Sequence, residues 1–386
     1  MKGKKQQKTI LIIFGTRPEA IKMAPLILEL RNNTDFQVLV CVTAQHREML
    51  DQVLDLFEIT PDYDLDIMTP GQDLFEITTR SLTGLKRLLK EINPDIVLVH
   101  GDTTTTMAAS LSAFYLQIPV GHVEAGLRTK NIYSPFPEEM NRRLTGSIAN
   151  LHFAPTETSR QNLIKEGVTS SRIFVTGNTV IDALFFAVSK LSNNERLQRE
   201  LSSKYSFLTD EEKILFVTGH RRENFGERLD NICHALLDIS HKFPELKVLY
   251  PAHMNPNVRK PIDEIIGKSG SKRIAVIEPV DYLSAVYLMQ RSYIILTDSG
   301  GIQEEAPSLG KPVLVMRDIT ERPEAVDAGT VKLVGGNRTS IIEGVSVLME
   351  DNKEYERMSK AHNPYGDGRA SKRIGDILSQ ILPEFH

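Results

Sequence analysis

The feature that most constrains this chain is an alternation of short apolar runs with helix-length segments, repeated along the sequence. The clearest pair of runs is Ile96–Val99 and Ile118–Val123, separated by the helix-length Thr105–Leu116. A strand–helix–strand unit of this kind makes the two strands parallel. Several runs are rich in Val, Ile and Leu without period-two alternation, as expected of strands covered by helices on both faces. Further strands are read at Thr9–Phe14, Gln37–Val42, Leu151–Ala154 and Ile173–Val175, with helices over Pro18–Leu30, Glu48–Phe57, Asp73–Glu91, Glu138–Ala149 and Thr156–Glu166. A charged stretch, Ser189–Lys213, follows and reads as a solvated helix and loop. The alternation then restarts, with strands at Ile214–Thr218, Leu246–Tyr250, Ile274–Glu278, Tyr293–Leu296, Pro312–Met316 and Thr330–Val334. Their helices are roughly Leu229–Lys242, Pro261–Lys268, Asp281–Arg291 and Ile302–Leu309, and Ala370–Leu382 reads as one more amphipathic helix.

With 386 residues the chain is too long for one ordinary core. The expected fold class is α/β: two Rossmann-like domains with a central cleft that holds the site. The expected boundaries are 1–188 for the first domain, 189–213 for a linker, 214–365 for the second domain, and 366–386 for a C-terminal helix packing back on the first. A hydrophobic content of 41% and a charged content of 25% are those of a globular protein. The net charge of −4 gives no support for broad nucleic-acid binding, so an anionic substrate needs local basic residues. The two cysteines, Cys41 and Cys233, read as buried thiols in a reducing compartment, and no CxxC or HExxH occurs. The lysine-rich start, Met1–Lys8, precedes an apolar stretch that stops at Thr16-Arg17-Pro18-Glu19 without a small-residue cleavage site. It reads as a basic tail before the first strand. No apolar run approaches the roughly 20 residues that span a bilayer, and the expected location is cytoplasmic.

Two carboxylates sit just beyond expected strands: Asp102 in His100-Gly101-Asp102-Thr103 and Glu124 in His122-Val123-Glu124-Ala125-Gly126. Open α/β sheets bind ligands at the carboxyl ends of parallel strands, so the two are expected to be neighbours. Glu138 follows in the Pro-flanked loop Ser134-Pro135-Phe136-Pro137. Arg17 and Lys22, at the first strand-to-helix turn, read either as a diphosphate clamp or as part of a surface ion pair with Glu19. In Thr297-Asp298-Ser299-Gly300-Gly301-Ile302, the glycines let backbone N–H groups approach an anion at a helix N-terminus. The plainer alternative is a tight turn. Glu305, one helical turn on, suits ribose hydroxyls or a helix-surface pair. His220 in Gly219-His220-Arg221-Arg222 is either functional or structural. Arg322 is a second phosphate or sugar contact or a solvated loop charge. Paired carboxylates can also hold Mg²⁺ beside phosphates. No D-x-D lies at the site edge, and Asp64-Leu65-Asp66 lies in a connecting segment, so acid–base work is favoured over metal.

Taken in order, Phe14-Gly15-Thr16-Arg17-Pro18-Glu19-Ala20-Ile21-Lys22, Val99-His100-Gly101-Asp102, His122-Val123-Glu124-Ala125-Gly126-Leu127-Arg128, Pro137-Glu138-Glu139-Met140-Asn141-Arg142, Thr218-Gly219-His220-Arg221-Arg222-Glu223-Asn224 and the Asp298–Pro312 block resemble the bacterial non-hydrolysing UDP-N-acetylglucosamine 2-epimerases. The resemblance runs from about Thr9 to about Leu382. It implies a glycosyltransferase-B-like architecture, a homodimer, and interconversion of UDP-GlcNAc and UDP-ManNAc without NAD, metal or other cofactor. It implies UDP contacts at Arg17, His220, Ser299, Gly300, Gly301, Glu305 and Arg322, with Lys22 at a binding position. Asp102, Glu124 and Glu138 match the catalytic carboxylates, the first two also as substrate contacts, and His220 joins the catalytic set. Around Glu278–Val286 the chain departs from some members, with Val280 and Ala285 at the uracil segment. That leaves backbone groups or Tyr282 for the base. Some members bind a second UDP-GlcNAc as activator, and the matching positions are Gln45, Glu138 and His253. Product use in an envelope or capsule polysaccharide is the family expectation.

The chemistry explains why such residues are needed. The C2 proton of GlcNAc has no adjacent carbonyl and is weakly acidic. Inversion then needs transient oxidation or a leaving group on C1. No G-x-G-x-x-G is present, which favours elimination of UDP. Proton handling on both faces of C2 needs at least two groups, and neighbouring or buried carboxylates raise one another's proton affinity. Three rival readings differ in outcome. A retaining UDP-sugar glycosyltransferase needs an acceptor, a hydrolysing epimerase releases ManNAc and UDP, and a silent UDP-sugar sensor binds without exchange.

Overall fold

The computed structural model describes residues 7–384 except 44–46, 70, 210, 220, 222 and 223. The chain forms two compact units, Met1–Ala183 with Tyr365–His386, and Leu184–Pro364. The first unit runs β1 (Lys8–Phe14), α1 (Arg17–Arg31), β2 (Phe36–Val42), α2 (Arg47–Leu56), β3 (Tyr63–Asp64), α3 (Leu74–Ile92), β4 (Ile96–His100), α4 (Thr104–Tyr115), β5 (Val120–Val123), α5 (Glu138–Ile148), β6 (Leu151–Ala154), α6 (Glu157–Lys165) and β7 (Ile173–Val175). Helix α7 (Thr179–Ser192) contains the division at Ala183/Leu184. The second unit continues with α8 (Glu195–Lys204), β8 (Lys213–Thr218), α9 (Glu227–Lys242), β9 (Leu246–Pro251), α10 (Pro256–Ile262), β10 (Ile274–Ile277), α11 (Tyr282–Arg291), β11 (Ile294–Thr297), α12 (Gly300–Glu305), β12 (Val313–Val315), α13 (Pro323–Asp327), β13 (Val331–Leu333), α14 (Arg338–Glu350) and α15 (Asn352–Ser359). The last helix, α16 (Ala370–Ile381), belongs to the first unit.

Both sheets are wholly parallel, in the orders β3-β2-β1-β4-β5-β6-β7 and β10-β9-β8-β11-β12-β13. The strand order reverses between β1 and β4 in the first sheet and between β8 and β11 in the second. In doubly wound folds ligands bind at that switch point, beyond the strands' carboxyl ends. The strands are buried on both faces: every residue of Ile10–Phe14 and Ile96–Val99 is fully inaccessible. All twelve expected strands are present, and the two-residue β3, which has no apolar run, is additional.

Local chemistry sets the helix ends. Asp73 caps α3 by accepting from Glu76 N at 2.9 Å, while the Glu76 carboxylate reaches back to Asp73 N at 3.0 Å. Ile77, Leu85, Leu88 and Leu89 form its buried stripe, and Asn93 ends it in the left-handed conformation (φ 46°). Helix α10 starts five residues before the expected Pro261, because Asn255 caps it and Pro256 occupies its first position. Pro261 is absorbed inside the helix, just ahead of a π turn over Asp263–Gly267. The division between units falls before the expected 189–213 linker. Helix α7 is continuous there, and Val180, Ile181, Ala183, Leu184 and Ala187 on it are buried. Helix α16 packs on α1, with Asn33 Nδ2 donating to Ser379 Oγ at 2.9 Å. Its first two N–H groups donate to the buried Asp182 carboxylate at 3.2 and 2.8 Å. Among the described residues no helix is long and apolar enough to cross a membrane. Cys41 and Cys233 are free and buried, and burial pushes both thiols up to about 12.

Glu19 ties the two turns that flank the first switch point. It is 2% exposed, and Oε2 accepts from Gly15 N (3.1 Å), Thr16 N (2.8 Å) and Thr16 Oγ1 (2.8 Å). Oε1 accepts from Thr103 Oγ1 (2.8 Å) and Thr106 Oγ1 (3.0 Å), across to the turn after β4. Burial raises its proton affinity and the hydrogen bonds pull it back. Glu19→Ala leaves these donors facing a void. It is expected to cost about 3 kcal/mol or more, read as a lowered midpoint in chemical denaturation. An unchanged midpoint would count against this linkage.

Candidate active site

Three turns of the first unit converge on Glu124. The residue lies just past β5 with φ 61°, a left-handed backbone that a non-glycine residue holds only when its surroundings fix it. Its Oε2 pairs with Lys22 Nζ from α1 and accepts from Asn178 Nδ2 at 2.7 Å, from the turn after β7. Glu124, Lys22 and Asn178 are all at most 9% exposed. Lys22 is thus engaged with a carboxylate here. The surface ion pair with Glu19 is not what forms, since Glu19 is buried among threonines. Arg17, half-buried, opens α1 at the same edge.

Asp102 lies on the neighbouring turn, after β4. Gly101, with φ 65°, turns the chain so close to Glu124 that a Cβ on it would sit 3.5 Å from Glu124 Oε1. The expected proximity of Asp102 and Glu124 therefore appears in the fold. Arg142 Nε donates to Asp102 Oδ2 at 2.8 Å, and Nη2 lies 2.7 Å from the same oxygen. Glu138 begins α5, and its Oε2 is buried without a hydrogen-bond partner among the described residues. The expectation was carboxylates crowding one another. Instead Asp102 and Glu124 each face a cation.

Behind these groups runs a row of buried histidines, His100, His122 and His152, on β4, β5 and β6. His100 Nε2 is 3.8 Å from Glu124 Oε2, and His122 Nε2 is 2.7 Å from Gly101 O. Burial holds the three imidazoles neutral, pushing them down to about 4, 3 and 4 respectively.

The second unit presents the opposite charge. Asp298, fully buried after β11, accepts from Arg221 N at 2.9 Å and Asn224 Nδ2 at 3.0 Å. Ser299, Gly300 and Gly301 then open α12. A Cβ on Gly300 would meet the Arg322 guanidinium at 2.6 Å, so any larger residue there has to displace it. Arg322 is no solvated loop charge: it is 7% exposed, and its Nε donates to the buried Glu304 at 2.6 Å. Glu321 lies among Arg322, Arg221 and Arg317. Burial alone raises it, but the guanidinium groups outweigh that and bring it to about 2. Glu305 Oε1 accepts from Tyr282 OH at 2.6 Å, which turns the buried Tyr282 ring toward the α12 turn. His253 is exposed beyond β9, its Nδ1 accepting from Asn255 N at 3.1 Å. His220 and Gln45 lie outside the described residues.

Sequence reasoning missed Arg142, Asn178 and Glu304 as site residues. The signal for Arg142 was Glu139 three residues before it, which puts an acid and a base on one helix face. Nothing in sequence marks Asn178, 54 positions from Glu124.

Two Rossmann-like parallel sheets, one ending in paired carboxylates and the other in a glycine turn beside the buried Arg322, give the chain a glycosyltransferase-B-like α/β fold. The sequence model described as UDP-N-acetylglucosamine 2-epimerase matches residues 28–379. The chain is 60% identical to the UDP-N-acetylglucosamine 2-epimerase of Escherichia coli K12 over 369 residues, covering 96% of this chain and 98% of that protein. It is 62% identical to that of Yersinia pestis, covering 95% and 96%. The crystal structure of the Neisseria meningitidis UDP-GlcNAc 2-epimerase bound to UDP-GlcNAc superposes with a TM-score of 0.92 at 56% identity, covering 96% of this chain and 100% of that one. The chain belongs to the UDP-N-acetylglucosamine 2-epimerase family, and it is an isomerase of the non-hydrolysing type.

The histidine row makes an acid-stability prediction. Each imidazole binds a proton near pH 6.5 when unfolded and only near 3 to 4 when folded. The unfolded chain therefore holds more protons in that window, and stability falls as pH drops through it. Each histidine contributes up to about 1.4 kcal/mol per pH unit. The thermal midpoint is expected to fall between pH 6.5 and 4, and less steeply in His152→Asn. Equal slopes would show that His152 does not titrate in this way.

Proposed function

We propose that the chain interconverts UDP-GlcNAc and UDP-ManNAc by eliminating UDP to 2-acetamidoglucal and adding it back. A carboxylate takes the C2 proton as the C1–O bond breaks, the C1=C2 double bond forms, and UDP leaves with the bonding pair. UDP then attacks C1 while a carboxyl group delivers a proton to the opposite face of C2. Asp102 and Glu124 are assigned to C2, with Glu138 aiding the leaving group or completing the pair. The observation that carries this reading is the placement of Asp102 and Glu124 on adjacent turns, each beside a cation, with an unbonded Glu138 oxygen on α5.

UDP is assigned to Ser299, Gly300, Gly301, Glu305 and Arg322, with Arg17 and His220. Holding UDP in place gives re-addition the advantage of an intramolecular step over escape. The UDP-GlcNAc bound to the Neisseria relative, and the UDP-GlcNAc and UDP bound to the Methanocaldococcus jannaschii relative (35% identical, TM-score 0.82), support the substrate assignment. We further infer a cytoplasmic homodimer supplying ManNAc units to an envelope or capsule polysaccharide.

Incubation with UDP-GlcNAc alone in D₂O, followed by NMR at C2, tests the reaction. Deuterium in both epimers is expected. None without an acceptor would favour transfer, and net release of ManNAc and UDP would favour hydrolysis. Asp102→Asn is expected to lose roughly 10²–10⁴ in turnover, and near-wild-type rates would sink its assignment. Gly300→Ala must displace the Arg322 guanidinium. It is expected to weaken UDP binding about tenfold or more by calorimetry.

A further inference from the structure

The first turns of α5 hold a charge network that the reaction as described does not use. Arg142, 6% exposed, sends two nitrogens to a single oxygen of Asp102, Oδ2. Its third nitrogen, Nη1, donates to Glu139 Oε2 at 3.1 Å. Glu139 is fully buried and also accepts from Thr129 N at 3.0 Å and from Arg143 Nε and Nη2, both at 3.2 Å. Asn141 Nδ2, on the same helix, donates to the Asp102 carbonyl at 3.0 Å. Among the described residues Asp102 Oδ1 takes no hydrogen bond.

Burying an Arg–Glu pair is expensive in desolvation, and apolar replacements are often as stable. Such a pair therefore finds its use in orientation. We propose that Arg142 is a positioning residue for proton transfer at Asp102, with Glu139 as the fixed anion that aims its guanidinium. The inference rests on the reading of Asp102 as a proton-handling group. Arg142 is always charged and planar, so its fork holds Oδ2 in one place. That leaves Oδ1 as the oxygen that meets the substrate proton. Because Asn141 and Arg142 ride on the helix that Glu138 begins, the spacing of Asp102 and Glu138 is set by one rigid element.

The groups facing this corner are Arg142 and Glu139 from α5, His100 from β4, Glu124 beyond β5 and Lys22 from α1. Arg142→Met, Arg142→Lys and Arg142→Ala are compared with Asp102→Asn in the full-length enzyme. Arg142→Met is expected to keep UDP affinity and KM while kcat falls roughly 10²-fold. Added guanidinium should restore part of the Arg142→Ala rate, and Arg142→Lys should lie between Met and wild type. If Arg142→Met fails to bind UDP and is misfolded, Arg142→Lys decides. A folded lysine variant with wild-type kcat overturns the inference. The same outcome in Arg142→Met, with Asp102→Asn inactive, overturns it and leaves the reaction intact. Wild-type turnover in Asp102→Asn instead removes the reading on which the inference rests.

Discussion

A parallel sheet brings the carboxyl ends of all its strands to one edge, so residues far apart in sequence arrive together there. Everything chemical in this chain depends on that constraint. Glu124, past β5, meets Lys22 from the helix after β1 and Asn178 from the turn after β7. Glu19, after β1, meets Thr103 and Thr106, after β4. In the second unit the turn after β8 supplies Arg221, the turn after β11 supplies Asp298 to Gly301, and the segment after β12 supplies Arg317 and Arg322.

The two units solve mirror-image electrostatic problems. In the first, each anion is steadied by a cation: Asp102 by Arg142 and Glu124 by Lys22. In the second, buried anions steady the cations: Glu304 and Glu321 hold Arg322, and Glu321 also meets Arg221 and Arg317. Groups fixed in advance need little rearrangement when charge moves in the substrate, which is where electrostatic catalysis draws its strength.

The strand pattern was legible because buried parallel strands are written as short apolar runs, several of them rich in Val, Ile and Leu, and all twelve expected runs are strands. β3 was not, because two residues paired only at Cys41 and Val42 leave no pattern. α14 and α15 were passed over although Asn337 and Asp351 cap them. The candidate carboxylates were legible from their position after apolar runs. Their partners were not: Lys22 reads as a phosphate ligand until the fold sets it beside Glu124. Arg322 reads as a loop charge or a ligand until Glu304, on a different element, is seen beneath it.

The return of the chain to its first unit at Tyr365 bears on the order of synthesis. Asn178 N donates to Tyr365 O at 2.7 Å, and Asp182 waits for the N–H groups of Ala370 and Ser371. A ribosome delivers these partners only after the entire second unit has emerged. The second unit can thus close while the first, though begun earlier, still lacks the helix that covers α1. The half of the protein made first is the half finished last, and until then the α1 face that α16 covers stays bare.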